Sequence, residues 1–196
     1  LHFYDGMKTS EIHKLLIKAT VDLISEDSPN YDHVAARLVW FSVRKEAFAN
    51  NLPPHLGTVI EKNIKLGYYS TDIKKFYTPE EIDELNNMIV HKRDDLCRYA
   101  GAEQMRKKYL VQNRKTKEIF ESFQFPYILV SALLFAKYPK TERMSFVKKY
   151  YDYTSQHFIS LPTPIMAGVR TKKRQFSSCT LIESGDSLKS INSAAT

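Results

Sequence analysis

Two short stretches in the second half of the sequence hold the residue types that do chemistry. In Arg174-Gln175-Phe176-Ser177-Ser178-Cys179-Thr180 a cysteine follows two hydroxyls and a basic run, Lys172-Lys173-Arg174. Nearby cations favour the thiolate, the form in which sulfur is a nucleophile or redox partner. Against that stands the plainer role of a small buried hydrophobe, which a lone cysteine more often fills. In Ser184-Gly185-Asp186-Ser187-Leu188 a turn leads into a helix. The free N–H groups of a helix start suit phosphate, and an aspartate there can bind ribose hydroxyls; the same residues also make an ordinary N-cap. Cys97, in Asp95-Leu96-Cys97-Arg98, has no such setting and reads as structural. The six histidines lack zinc-ligand spacing, and His13 and His33 read as exposed or core residues. No phosphate-binding glycine loop or nucleophile elbow is present.

The elements that must position these residues are mostly helices. Thr9 or Ser10 can cap a helix carrying Ile12, Leu15, Leu16, Ala19 and Leu23, broken at Ser28-Pro29-Asn30. A second is expected over Tyr31 to Phe48, with Val34, Leu38, Phe41 and Phe48 on one face. Pro53-Pro54 is expected to start a third that stops at Gly67. Thr78-Pro79-Glu80-Glu81 is a capping box with proline at the first helical position. A helix from Asp94-Asp95 to Lys107 should precede a hairpin around Asn113 to Thr116. Phe125 to Ala136 reads as a buried helix. Thr141 to Tyr153 reads as amphipathic, with Met144, Val147 and Tyr151 inward. The prolines of Leu161-Pro162-Thr163-Pro164 predict extended backbone over Ile159 to Met166, and Gln175 to Glu183 is a second extended candidate.

Composition narrows the function classes. With 43% apolar residues the 196-residue chain can bury a core, which excludes wholesale disorder. The longest apolar run falls well short of the ~20 residues of a membrane span. Two cysteines exclude a disulfide scaffold. Residue 1 is Leu and no charged-then-apolar leader follows, which reads as cytoplasmic material cut from something longer. Residues 1–100 carry a net charge of −2 and residues 101–196 one of +9, in short runs such as Arg106-Lys107-Lys108. Such an imbalance can serve nucleotide phosphates, nucleic acid or an acidic partner, or simply solvate helix faces.

Together, Ile159 to Thr171, Arg174 to Cys179, Glu183 and Gly185 to Leu188 resemble one family. Phe3 to Ser10, Tyr31 to Arg37 and Lys108 to Arg114 agree with it. It is the large, catalytic subunit of class I ribonucleoside-diphosphate reductase, in its bacterial and bacteriophage form. The resemblance implies an α/β protein of which this part is mainly α. Residues 1–50 would be the last helices of a nucleotide-binding ATP cone and residues 51–158 a helical region. Residues 159–196 would hold the first strands of a ten-stranded α/β barrel, with the chain ends falling inside the cone and the barrel.

The family replaces the ribose 2′-hydroxyl with hydrogen, using a thiyl radical and a cysteine pair that ends as a disulfide. The resemblance makes Cys179 one member of that pair. It makes Thr163 and Ser178, with Cys179, substrate contacts. Asp186, Ser187 and Leu188 fall in the specificity-effector site, and Thr9 and Lys45 in the ATP-cone site. It implies no cofactor bound directly, with ATP, dATP and deoxynucleoside triphosphates as effectors. A di-iron tyrosyl radical would reside in a separate small subunit. Further implied partners are a second large subunit, thioredoxin or glutaredoxin, and ribonucleoside diphosphate substrates; neither a membrane nor nucleic acid is expected. The second cysteine of the pair and the radical cysteine have no counterpart among these residues, so no turnover is expected of this polypeptide alone. Residues 159–196 on their own should be poorly soluble. Ser42 stands where many relatives have histidine, and Lys172-Lys173 where Pro-Thr is common. A non-enzymatic nucleotide-binding regulatory module is the alternative, and a basic nucleic-acid-binding protein a more remote one.

Overall fold

The computed structural model describes residues 3–179 and 181–195. The chain ends and Thr180, part of the second extended candidate, lie outside the described residues. Helix α1 (Thr9–Asp22) is capped by the extended backbone of Lys8, whose carbonyl accepts from the Glu11 and Ile12 amides. Thr9 is therefore already helical and caps nothing, contrary to the sequence expectation. Helix α2 (Tyr31–Phe48) has the expected bounds but is rotated from the expected face. Ala36, Val39, Val43 and Ala47 are buried while Val34 is 42% exposed. Small side chains let α1 and α6 approach closely, and the same rotation buries Arg44 beside Asp94 at 2.7 Å.

Helix α3 (Leu56–Lys65) ends at Gly67, whose φ of +80° a side chain would oppose. A short α4 (Asp72–Phe76) leads to α5 (Pro79–Met88), where the Thr78–Glu81 capping box forms as expected. Glu81 also pairs with the buried Arg143. The single helix expected from Asp94 to Lys107 is instead three pieces. A 3₁₀ helix (His91–Leu96) ends at extended Cys97 and Arg98, α6 (Tyr99–Gln104) starts where Asp32 accepts the Tyr99 amide at 2.7 Å, and a π-helical turn (Met105–Tyr109) follows. The hairpin is reduced to one antiparallel bridge, Gln112 to Ile119, because the Glu121 carboxylate takes the Val111 amide at 2.6 Å.

Helix α7 (Gln124–Leu134) is buried nearly all round and packs on α8 (Lys140–Ser155), from which Val147 and Tyr151 point inward. The extended segment expected over Ile159 to Met166 holds only as far as Pro162, which is the N-cap of α9 (Thr163–Gly168). Pro164 falls in the first turn, where a missing N–H costs no helical hydrogen bond, so this proline spacing starts a helix rather than forbidding one. The described residues among 172–183 are exposed and carry no regular structure, so the second extended candidate forms no strand there. Ser187 then accepts the Ser190 amide at 3.2 Å and opens α10 (Leu188–Ala195). The fold is mainly α: among the described residues there is no strand, only the Gln112–Ile119 bridge and a Tyr69–Thr171 bridge. No helix among them is long and apolar enough to cross a membrane.

Candidate functional site

Thr163, the first residue of α9, places its hydroxyl 3.2 Å from the Tyr109 hydroxyl. Tyr109 in turn accepts from the Gln104 side-chain amide at 3.0 Å. Both carriers are held by Arg170, a guanidinium that is 1% exposed. It donates to the Tyr109 carbonyl at 2.8 Å, to the Met166 carbonyl on α9, and to both carboxylate oxygens of buried Glu121. Glu121 also accepts from the Tyr69 hydroxyl; burial and the adjacent carboxylate push that phenol well above its ordinary range. A charge pair this buried stands only because Glu121 and Arg170 satisfy each other and their neighbours.

Ser178 and Cys179 sit in the irregular segment after Thr171. The Cys179 thiol is free and exposed, 3.9 Å from the Ser178 hydroxyl, and Ser177 donates to the Cys179 carbonyl. The basic run does not gather round the thiol: Arg174 is committed to Asp72 and to the Thr171 carbonyl. Cys97 is the opposite case. It is buried, 3.9 Å from the His157 ring, and burial pushes its thiol up to about 12, which keeps it protonated and inert. Asp186, Ser187 and Leu188 are exposed at the start of α10.

Thr9 and Lys45 are brought together. They line a cleft of about 1070 Å³ between α1, α2, the π-helical turn and the loop around Lys117. Because Lys8 supplies the cap, the Thr9 hydroxyl is free to face the cleft. His13, one turn on from Thr9, stacks on Phe41 with ring centroids 5.5 Å apart and donates from Nε2 to the Leu38 carbonyl at 2.6 Å. Lys45 lies over the other partner in that stack, 5.2 Å from the Phe41 centroid. Arg106 and Lys107 on the opposite wall are neutralised by Glu46 and Glu103. Among the described residues Lys14, Lys45 and Lys117 have no ion-pair partner, so the cleft keeps positive charge and an aromatic wall. Ser42 is on the same wall. No group of three or more His, Cys, Asp or Glu able to hold a metal ion occurs among the described residues.

Residues 95–174 match the family model described as the ribonucleotide reductase all-alpha domain. Over 195 residues the chain is 53% identical to the ribonucleoside-diphosphate reductase 1 subunit alpha of Salmonella typhimurium, covering 100% of the chain and 26% of that protein. The belonging of the chain follows. It is a member of the ribonucleotide reductase alpha-subunit family. The corresponding Escherichia coli subunit is 52% identical with the same coverage, and that of Enterobacteria phage T4 is 42% identical over 97% of the chain and 25% of its own length. This reductase-family chain spans about a quarter of the length of the curated relatives it matches.

Sequence reasoning sets His13 aside as an exposed or core residue and gives Tyr109, Glu121 and Arg170 no role in a site. His13 was legible in principle, since it repeats the face of Thr9 at a spacing of four. Glu121 stands alone as a carboxylate between Ile119-Phe120 and Phe123, a pattern that calls for a buried partner. That the partner is Arg170, 49 residues away, only the fold reveals. Nothing in the structure explains Lys172-Lys173.

Proposed function

We propose that the chain is part of a ribonucleoside-diphosphate reductase and contributes substrate and regulatory contacts to radical reduction of ribonucleoside diphosphates. The observation that carries this is similarity over the whole chain to reductase alpha subunits, which includes the Thr163 and Cys179 segments. In this reading residues 1–50, 51–158 and 159–196 are the end of an ATP cone, the helical region and the start of the barrel. Thr163 and Ser178 hold the substrate. Cys179 is one half of the redox pair: as the 2′-hydroxyl leaves as water, two thiols supply two electrons and become a disulfide, which thioredoxin or glutaredoxin reduces by thiol–disulfide exchange. An exposed thiol suits that exchange, and buried Cys97 cannot be its partner. The radical comes from a separate di-iron small subunit, a second large subunit completes the effector site at Asp186 to Leu188, and the reaction belongs in the cytoplasm.

The cleft at Thr9 and Lys45 is the nucleotide-regulatory site. Unpaired cations suit a triphosphate, and the His13–Phe41 stack presents an apolar wall to a base. Two experiments test the reading. In the assembled reductase, Cys179→Ser should abolish CDP reduction with dithiol as reductant; retained turnover would refute the role. Calorimetry with ATP should give binding that Lys45→Ala and Thr9→Val each weaken; no heat at millimolar ATP would remove the cleft from the reading.

A further inference from the structure

From the hydrogen-bond chain Gln104–Tyr109–Thr163, we propose that Tyr109 is a positioning residue that orients the Thr163 hydroxyl toward a phosphate oxygen of the substrate. The inference deepens the substrate-binding reading of Thr163 and rests on it. Directionality decides the case. A phenol hydroxyl has one proton and an oxygen that accepts. The geometry lets either hydroxyl donate across the 3.2 Å between Tyr109 and Thr163; the Gln104 amide, donating to the Tyr109 oxygen at 3.0 Å, favours Tyr109 as the donor. The Thr163 oxygen then acts as acceptor on its protein side, and its own proton is left to point outward. A phosphate oxygen carries charge and only accepts, so it is the ligand this arrangement fits. Each donor in the chain is strengthened by the one before it.

The geometry of the chain is fixed at the backbone as well. Arg170 binds the carbonyl of Tyr109 and the carbonyl of Met166 with one guanidinium, so the segments bearing the two hydroxyls cannot slide past each other without breaking it. The π-helical turn serves the same end: Leu110 closes it onto the Met105 carbonyl at 3.0 Å, and Gln112 holds the Arg106 and Lys107 carbonyls. The turn adds a residue relative to an α-helix and so sets where Tyr109 points. Gln104 and Tyr109 themselves touch no reacting atom.

The test uses the assembled reductase with CDP as the varied substrate. Tyr109→Phe keeps the ring and removes one hydroxyl, and is expected to raise KM about threefold to tenfold with kcat unchanged, the signature of lost ground-state binding. Gln104→Leu should raise KM less, and Thr163→Val at least as much as Tyr109→Phe. Thr163→Ser keeps the hydroxyl and should reverse most of the KM rise of Thr163→Val. If Thr163→Val raises KM and Tyr109→Phe leaves it unchanged, the positioning role is overturned while the substrate contact stands. If Thr163→Val leaves KM unchanged, the substrate-contact reading fails and the proposal with it. A Tyr109→Phe variant that lowers kcat and leaves KM alone also contradicts the proposal.

Discussion

The two halves of the proposed substrate region are built in opposite ways. Thr163 rests on a hydroxyl chain, a helix and a guanidinium with almost no solvent contact, whereas Cys179 and Ser178 lie on exposed irregular backbone held by a few local hydrogen bonds. The difference teaches where this stretch of chain carries its own organisation. Everything Thr163 needs, from Gln104 to Arg170, lies within residues 104–170, so its environment closes locally. Around Cys179 the described side chains Phe176, Leu181 and Ile182 remain more than half exposed.

The contrast can be broken most forcefully at the buried pair. Replacing Glu121 by Gln leaves the Arg170 charge without its partner and should cost about 3–5 kcal/mol, whereas Cys179→Ser should change stability by less than about 0.5 kcal/mol. Urea unfolding of the two variants checks this, and equal losses would erase the distinction. Next in size, Cys179 should react with a thiol reagent on the order of a hundredfold or more faster than Cys97, which needs local opening first. Comparable rates in the native chain would contradict the burial of Cys97. Limited trypsin digestion should cut first at Lys172 or Lys173 and leave the stretch through Tyr151 intact. Early cuts at Arg93 or Arg143 would count against a closed helical core.

How much of this was legible in the sequence follows the range of the forces involved. The Thr78 capping box, the Gly67 stop and the apolar run of α7 are local, and they formed where expected. The largest apolar side chains of α2 mark a different face from the one the fold buries. The fold instead buries small ones so that Arg44 can reach Asp94, 50 residues away. Pro162 and Pro164 predict extended backbone in isolation, whereas in the fold they occupy an N-cap and a first turn. Cys179 is a candidate in sequence by its basic neighbours, yet Arg174 turns to Asp72 and the thiol is exposed, not the buried small hydrophobe that a lone cysteine more often is. The support of Thr163 depends on Tyr109, Glu121 and Arg170, which meet only in three dimensions.

A further predicted effect concerns pH, at the polar groups where α2 meets the 3₁₀ helix. Burial and the nearby Arg44 push His91 from 6.5 down to about 4, so the folded chain resists its protonation while the unfolded chain accepts it. Stability from this group is full above about 6.5 and is lost as pH falls toward 4. Burial pushes Asp94 up to about 6 against the pull of Arg44, so its contribution runs the other way and declines as pH rises from 4 to 6. The stability difference between wild type and His91→Gln should shrink as pH falls from 6.5 to 4. A difference independent of pH would show that His91 titrates normally.

The most direct measurement sets the two halves against each other in the assembled reductase, with KM and kcat for CDP determined for Thr163→Val and Cys179→Ser side by side. The built half is predicted to govern binding and the exposed half electron supply: Thr163→Val raises KM with kcat largely kept, and Cys179→Ser removes dithiol-dependent turnover while CDP still binds. Turnover surviving in Cys179→Ser, or CDP affinity unchanged in Thr163→Val, would contradict the account.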